Sequence, residues 1–108
     1  MARISRHPLV QEKDLPQIYA FIAGDNPDAA VRVLDAIDKT FELIGHSPYI
    51  GPLYSIEIPV LGGLRMIPVL GYPRYLVFYH PVVDEVRILY VFHGMRNISE
   101  RIFGDNRM

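Results

Sequence analysis

The stretch IAGDNPDAAVRVLDAI, residues 22–37, decides the fold because it ends one helix and begins the next. Gly24 supplies a flexible exit from the first helix. Asp25 or Asn26 caps the second helix, and Pro27 suits its first position, where no backbone hydrogen bond is lost. Two helices joined by so short a break pack antiparallel. The first half of the chain is therefore predicted to be a helical hairpin.

Both predicted helices carry apolar residues at the spacing of a helix that is packed on one side. The apolar positions are Leu15, Ile18, Tyr19 and Ile22 in the first helix, and Ala30, Val33, Leu34, Ile37, Phe41 and Ile44 in the second. Pro16 lacks an amide donor and predicts a kink or a restart of the first helix, with Asp14 as its cap. Gly45 is the predicted end of the second helix.

Three segments of the second half are rich in β-branched and aromatic residues and are predicted to be strands: residues 64–70, 74–80 and 85–93. The turn formers at 71–73 and 81–84 separate them, and connections this short require antiparallel neighbours. Pro68 cannot donate to a strand ladder, so the first of these strands is predicted at a sheet edge or bulged there.

The remaining segments complete one α+β domain that spans residues 1–108. Residues 2–5 are a candidate first strand, and 46–63 are a long connection with one extended stretch at 55–58. Residues 97–103 are predicted to form a short C-terminal helix. The predicted fold is a helical hairpin packed on an antiparallel sheet of three or four strands.

Both faces of this sheet are predicted to be apolar because side chains alternate along a strand. The two sets are Tyr75, Val77 and Tyr79 against Leu76, Phe78 and His80 in the middle strand, and Val86, Ile88, Tyr90 and Phe92 against Arg87, Leu89, Val91 and His93 in the next. One helical hairpin covers one face, so the other face needs a second cover. The C-terminal helix, a second copy and another protein all fit this requirement.

Composition limits the classes of protein. Half of the residues are hydrophobic, which fits a folded domain, but no apolar run reaches the roughly 18 residues of a membrane span. The basic start is followed by Pro8 and charged residues, so export is not expected. The chain has no cysteine, which suits the cytoplasm and excludes thiolate sites. His7, His46 and His80 are scattered, so neither a metal nor a cofactor is expected.

Charge is distributed unevenly along the chain. Five basic and eight acidic side chains precede residue 64, whereas six arginines and four acidic side chains follow it, for a net charge of −1. A domain that binds nucleic acid directly is usually basic overall. Direct nucleic-acid binding is therefore not expected, and the positive potential belongs to the second half.

The motifs also form an ordered set. The first part reads Asp14-Leu15-x-x-Ile18-x-x-Phe21-Ile22-Ala23, then Asp25-Asn26-Pro27-x-Ala29-Ala30-x-Arg32-Val33-Leu34-Asp35-Ala36-Ile37 and Pro48-x-x-Gly51. The second part reads Leu64-Arg65-x-x-Pro68-Val69, then Tyr75-Leu76-Val77-Phe78-Tyr79 and Val86-x-Ile88-x-x-Val91-x-His93-Gly94-x-Arg96. From about residue 10 to 103 this order resembles the ParE toxins of the ParE/RelE superfamily, which includes plasmid stabilisation proteins.

The resemblance implies a toxin that a cognate ParD-like antitoxin wraps and holds inactive in a hetero-oligomer. It also implies DNA gyrase as the target, so that the toxin halts replication by binding and not as an enzyme. Pro16, the turn at 71–73, and Asn97 in place of the more common Asp depart from the family pattern. These departures affect the element boundaries more than the family assignment.

RelE relatives share the fold and cut messenger RNA on the ribosome, which is the enzymatic alternative. Arg74 and Arg96 match their arginine positions, but the nuclease lysines are missing, and Ile102 and Phe103 stand where those enzymes place a tyrosine. His93 is a candidate base, because histidine is the side chain whose unperturbed pKa lies nearest to neutral pH. We favour the interpretation that His93 is a strand-end residue bonded to backbone. A third alternative is a non-toxic interaction module of the same fold.

Six residues are predicted to contact the target or the antitoxin: Arg65, Arg74, Leu76, Phe78, His93 and Arg96. Arg65 fits equally well a solvated surface position, where a charge contributes little. Arg74 follows a proline, and its alternative role is to position the hairpin. Arg96 belongs to the matched signature and is interpreted as functional.

Overall fold

The computed structural model describes residues 1–54, 63–95, 102, 104 and 107. Strand β1 is followed by a π-helical turn, two α-helices and three further strands. Their bounds are β1 Arg3–Arg6, the turn Val10–Asp14, α1 Leu15–Ala23, α2 Pro27–His46, β2 Arg65–Val69, β3 Tyr72–Val82 and β4 Glu85–His93. The predicted extended stretch at 55–58 lies outside the described residues, as does the C-terminal helix apart from residue 102.

The helical hairpin is confirmed. The side-chain oxygen of Asn26 accepts a hydrogen bond from Ala29 N–H at 3.1 Å, and Pro27 occupies the first turn of α2. The buried positions of α2 follow the predicted stripe at Ala30, Val33, Ile37, Phe41 and Ile44. None of the helices in the described part of the chain is long and apolar enough to cross a membrane.

The predicted restart at Pro16 is confirmed, since α1 begins at Leu15 with the proline in its first turn. The prediction that Asp14 caps this helix is wrong. Its carboxylate makes no capping bond and instead accepts from Val91 N–H at 3.0 Å. Asp14 is 1% exposed, and a buried carboxylate needs stronger partners than the first turn of its own helix offers.

The sheet has four strands in the order β1-β4-β3-β2. Strands β2, β3 and β4 are antiparallel neighbours as predicted, but β1 pairs with β4 in parallel, so the sheet is mixed. The purely antiparallel prediction is therefore wrong for β1. The rest of the chain separates β1 from its partner, so no short turn dictates its direction.

Strand β2 lies at the sheet edge, and its register shifts between Pro68 and Val69, which confirms both readings of this proline. The turns are shorter than predicted, because β3 extends from Tyr72 to Val82. Only two residues remain in each hairpin loop, with φ of +80° at Gly71 and +60° at Asp84. Positive φ is what a tight two-residue hairpin turn requires.

Both faces of the sheet are apolar, but a β-bulge changes which residues lie on each. Phe78 pairs with Tyr90 while Tyr79 pairs with Ile88, so Leu89 is an extra residue in β4. The bulge reverses the alternation of side chains along β4. The prediction of which β4 residues share a face is therefore correct on one side of the bulge only. The core shared with the helices contains Val77, Tyr79, Val86, Ile88 and Val91; the second cluster contains Leu64, Phe78, Leu89, Tyr90, Phe92 and Ile102.

The chain's own segments cover the second face in the described part of the structure. Ile102 is fully buried in that cluster, and the Tyr54 ring meets Phe78 edge-on at 5.0 Å. The Tyr90 hydroxyl donates to the Ile102 carbonyl at 3.0 Å. Of the covers that the sequence allowed, the structure therefore favours an internal one.

Candidate functional site

The end of the β3–β4 ladder brings two of the predicted site residues together. Tyr75 pairs with His93, and Gly94 N–H donates to the Arg74 carbonyl at 2.7 Å. A Cβ on Gly94 would lie 3.1 Å from Leu76 Cδ1 and 3.3 Å from the Arg74 oxygen. The glycine thus allows the chain to pass close to β3, and this places His93 beside the strand that carries Arg74.

His93 makes the backbone hydrogen bond that its strand-end interpretation predicts. Its Nδ1 accepts from Met95 N–H at 3.1 Å, and its ring packs edge-on against Tyr75 with centroids 5.1 Å apart. An imidazole whose Nδ1 is an acceptor carries the proton of its neutral form on Nε2. In this arrangement His93 offers a hydrogen-bond donor at Nε2.

A cleft of about 270 Å³ opens between α1 and this end of the sheet. Ile18 and Phe21 line it from α1, and Tyr75, His93 and Met95 line it from the sheet. At the rim, Phe21 is 75% and Met95 84% exposed. Apolar walls with a few polar groups are typical of binding sites.

Leu76 and Phe78 lie on the opposite face of β3, in the second cluster. Phe78 is fully buried, and Leu76 is half-buried against that cluster. His93, whose ring packs on Tyr75, therefore does not form one continuous surface with Phe78. A partner reaches Phe78 only if the residues that cover it move.

Arg65 has intramolecular partners. Its guanidinium donates to the Gly51 carbonyl at 2.7 Å and lies over the Tyr49 ring at 4.9 Å. It pairs with Tyr79 in the ladder, five residues along β3 from Arg74, a separation of roughly 17 Å at ~3.4 Å per residue. Arg65 therefore holds the loop after α2 and is not part of the cleft.

Arg96 lies outside the described residues, so its role remains a prediction from the sequence. It follows Met95, the last described residue at the rim of the cleft, by one position. Of the six predicted site residues, the structure thus places the backbones of Arg74 and His93 at the same end of the β3–β4 ladder. Arg65 lies apart from both, and Leu76 and Phe78 face the second cluster, away from the His93 ring.

A buried ion pair joins the start of α1 to the C-terminal segment, and sequence reasoning missed it. The Arg107 guanidinium donates to both carboxylate oxygens of Asp14, at 2.8 Å to Oδ1, and to the Leu89 carbonyl at 3.0 Å. Both side chains are 0% exposed. The partners stand 93 residues apart, and the only signal in the sequence was a carboxylate directly before an apolar helix stripe.

Glu85, at the other end of β4, is the carboxylate with the clearest electrostatic shift. Hydrogen bonds from Arg87 at 2.8 Å and Arg3 at 3.0 Å lower its pKa from 4.5 to about 2, and a bond from the Ser5 hydroxyl at 3.1 Å adds to this. These groups lie on the surface at the start of β1 and β4, away from the cleft. The cluster joins the two parallel strands.

Comparison with known proteins agrees with the order of elements. The family model described as "ParE toxin of type II toxin-antitoxin system, parDE" matches residues 7–98. The matched region includes α1, α2 and strands β2 to β4, and therefore all walls of the cleft. A search of curated proteins found no match.

Proposed function

The chain belongs to the ParE toxin family of type II toxin–antitoxin systems, and from that membership we propose that a ParD-like antitoxin neutralises it and that it inhibits DNA gyrase. Family membership implies an antitoxin partner, and the gyrase target extends the resemblance seen in the sequence. In this proposal the protein acts by binding in the cytoplasm, and replication stops when gyrase is blocked.

The observation that carries a binding mechanism is the hydrogen bond between His93 Nδ1 and Met95 N–H. Ribonucleases of this fold need a group that removes the proton from the ribose hydroxyl. His93 has Nδ1 engaged and, as a neutral ring, carries its proton on Nε2, so it is a donor and not a base. This supports action by binding over action by cleavage.

The surface that we propose for the antitoxin is the cleft between α1 and the end of the sheet. Its rim residues Phe21 and Met95 are largely exposed, although they are large and apolar. Exposed apolar side chains around a concave site are typical of protein–protein contact. Arg74 and His93, at the same end of the sheet, supply donors for a polar partner.

A ribosome-dependent messenger RNA endoribonuclease is the second candidate function. The observation that favours it is that Arg74 and His93 lie at the same end of the β3–β4 ladder, where Gly94 N–H donates to the Arg74 carbonyl at 2.7 Å. A cation and a protonated imidazole that reach the same phosphate would stabilise its developing charge and protonate the leaving oxygen. The two candidates predict different first effects in cells.

The test is to induce the protein and to record DNA synthesis and protein synthesis separately by pulse labelling. We expect DNA synthesis to stop first, and purified protein to inhibit gyrase supercoiling until antitoxin is added. Arg74→Ala and Arg96→Ala should weaken both effects, with Arg32→Ala on the exposed face of α2 as the matched control. Earlier arrest of protein synthesis supports the ribonuclease, and harmless induction supports a non-toxic interaction module.

A further inference from the structure

The surface loop that follows α2, residues 48–53, keeps large apolar side chains in water. Tyr49 is 66% exposed, Ile50 47% and Leu53 54%. A single exposed apolar side chain is ordinary, since much of any protein surface is apolar. Three of them within five positions form a patch, and a patch of this kind is typical of a protein–protein contact.

The backbone of the 48–53 loop is held firmly although its side chains are exposed. Gly51 N–H donates to the Tyr79 hydroxyl at 2.9 Å, and Met66 N–H donates to the Pro52 carbonyl at 3.2 Å. A Cβ at Gly51 would lie 2.7 Å from the Met66 carbonyl oxygen and 2.8 Å from the Tyr79 hydroxyl, so only glycine permits this approach. Arg65 donates from β2 to the Gly51 carbonyl at 2.7 Å. The loop therefore presents its apolar side chains from a fixed backbone.

A fixed loop is suited to binding because less conformational entropy is lost when a partner is bound. The Arg65 guanidinium lies over the Tyr49 ring at 4.9 Å, so the patch combines a tyrosine with an arginine. Tyrosine and arginine, together with tryptophan, are the residues that most often dominate the binding energy of an interface. Both the composition and the rigidity of the 48–53 loop are thus those of a binding surface.

Arg65 also determines which charge a partner should carry at this patch. Its Nη1 bonds the Tyr49 and Gly51 carbonyls, which are neutral acceptors. Within the described residues, no carboxylate forms an ion pair with it. A guanidinium without a counter-charge attracts a carboxylate of a partner, and a complementary charge fixes the register of the complex. The surface that fits this patch is therefore apolar and carries an acidic group.

The patch and the cleft are separate surfaces. The ladder places Arg65 opposite Tyr79, five positions along β3 from Arg74 at the end of the sheet near the cleft. The cleft is a recess that receives side chains from a partner, whereas the 48–53 loop offers its own. A toxin that acts by binding needs one surface for its antitoxin and another for its target. The loop suits the target, because a protein that blocks an enzyme must place side chains in the enzyme's recess.

We propose that the 48–53 loop is the target-binding surface of this toxin. It inserts Tyr49 and Ile50 into an apolar recess of the target protein, and Arg65 faces a carboxylate beside that recess. The identification of the target as gyrase rests on the function proposed above, whereas the role of the loop does not.

The first experiment measures the affinity of the purified protein for gyrase and for the antitoxin, taken as the protein from the neighbouring gene. We expect the double variant Tyr49→Ala with Ile50→Ala to bind gyrase at least about tenfold more weakly, as for residues that dominate an interface. Its affinity for the antitoxin should equal that of the wild type, which also shows that the variant is folded. Unchanged gyrase binding, or an equal loss for the antitoxin, overturns the proposal.

Val83→Ala is the matched control for this experiment. It removes an apolar side chain that is 90% exposed, in the hairpin between β3 and β4. We expect it to bind both proteins as the wild type does. A loss of gyrase binding as large as that of the double variant would mean that any exposed apolar side chain contributes, and the loop would have no special role.

Arg65→Gln tests the charge of the partner surface. The glutamine amide can still donate to the Gly51 carbonyl, but the positive charge is lost. We expect gyrase binding to weaken about tenfold and to depend less on salt concentration than in the wild type, because a charged pair across the interface is missing. Equal salt dependence in the two proteins would contradict a carboxylate at this position.

Induction in cells separates the role of the loop from the identity of the target. If the wild type is toxic without binding gyrase and the double variant is harmless, the gyrase assignment fails and the loop proposal stands. If the double variant is as toxic as the wild type, the loop proposal fails and the gyrase assignment is unaffected. If the free wild type is a dimer that the double variant converts to monomer, the loop contacts a second copy, and the proposal is wrong.

Discussion

The molecule places two carboxylates next to arginines in opposite surroundings. Glu85 lies at the start of β4 on the surface, where Arg3 and Arg87 share it, and Arg3 is 78% exposed. Asp14 lies beside the other end of the same strand, and it and Arg107 are 0% exposed. Water screens the first cluster, whereas the second pair is removed from water and depends on its protein partners. Similar side chains therefore have unequal consequences for stability.

The largest expected effect comes from removing the arginine of the buried pair. Arg107→Ala leaves Asp14 buried without its main counter-charge, and Asp14 cannot move to water because both of its neighbouring segments are packed. We expect the free energy of unfolding to fall by about 3–5 kcal/mol, as for other buried pairs that lose one partner. Urea unfolding at pH 7 measures this.

Arg87→Ala in the surface cluster is the matched control for this prediction. Its side chain is 56% exposed, and Glu85 keeps the hydrogen bonds from Arg3 and Ser5. We expect a much smaller change than for Arg107→Ala. Equal losses in the two variants would remove the contrast between the buried and the exposed carboxylate.

A double-mutant cycle makes the comparison sharper. Asp14→Asn retains an acceptor for Val91 N–H but leaves the buried Arg107 guanidinium without its counter-charge, so we expect a loss of about 3–5 kcal/mol here too. Adding Asp14→Asn to Arg107→Ala removes the buried charge. The double variant should therefore be more stable than Arg107→Ala alone. Strictly additive losses would mean that the two side chains do not interact.

Local signals in the sequence predicted most of the fold. The cap at Asn26, the apolar stripe of α2 and the edge position of Pro68 each depend on neighbours a few residues away, and the structure confirms them. The parallel pairing of β1 and the bulge at Leu89 are set by contacts between distant segments. The alternation of apolar side chains along a strand does not predict where an extra residue is inserted.

The candidate site shows the same limit. The backbones of Arg74 and His93 lie at the same end of the sheet because a hairpin and a glycine bring the strands together there, and both features are local in the sequence. The ion pair of Asp14 with Arg107 joins residues 93 positions apart in the sequence. An aspartate before a helix predicts a capping residue, and an isolated arginine predicts a solvated side chain. Neither residue is therefore predicted to be buried.

The smallest expected effect concerns Glu85 and depends on pH. Its pKa is about 2 in the folded protein, below the ordinary 4.5, because Arg87 and Arg3 bind the ionised form. Its contribution to stability is therefore complete above about pH 4.5 and is lost as the pH falls towards 2, because the unfolded chain takes up the proton first.

Urea unfolding between pH 2 and 6 tests this contribution by comparing the wild type with Glu85→Gln. Other carboxylates titrate in both proteins, so the difference between the two curves isolates Glu85. We expect the difference in the free energy of unfolding to become smaller as the pH falls through this range. It should also be smaller in about 1 M salt, which screens exposed charges. A difference that does not change with pH would mean that Glu85 is no better stabilised in the fold than in water. The side chains of the surface cluster would then add nothing to the backbone pairing that joins β1 to β4. The buried pair would remain the one of the two whose charges contribute to stability.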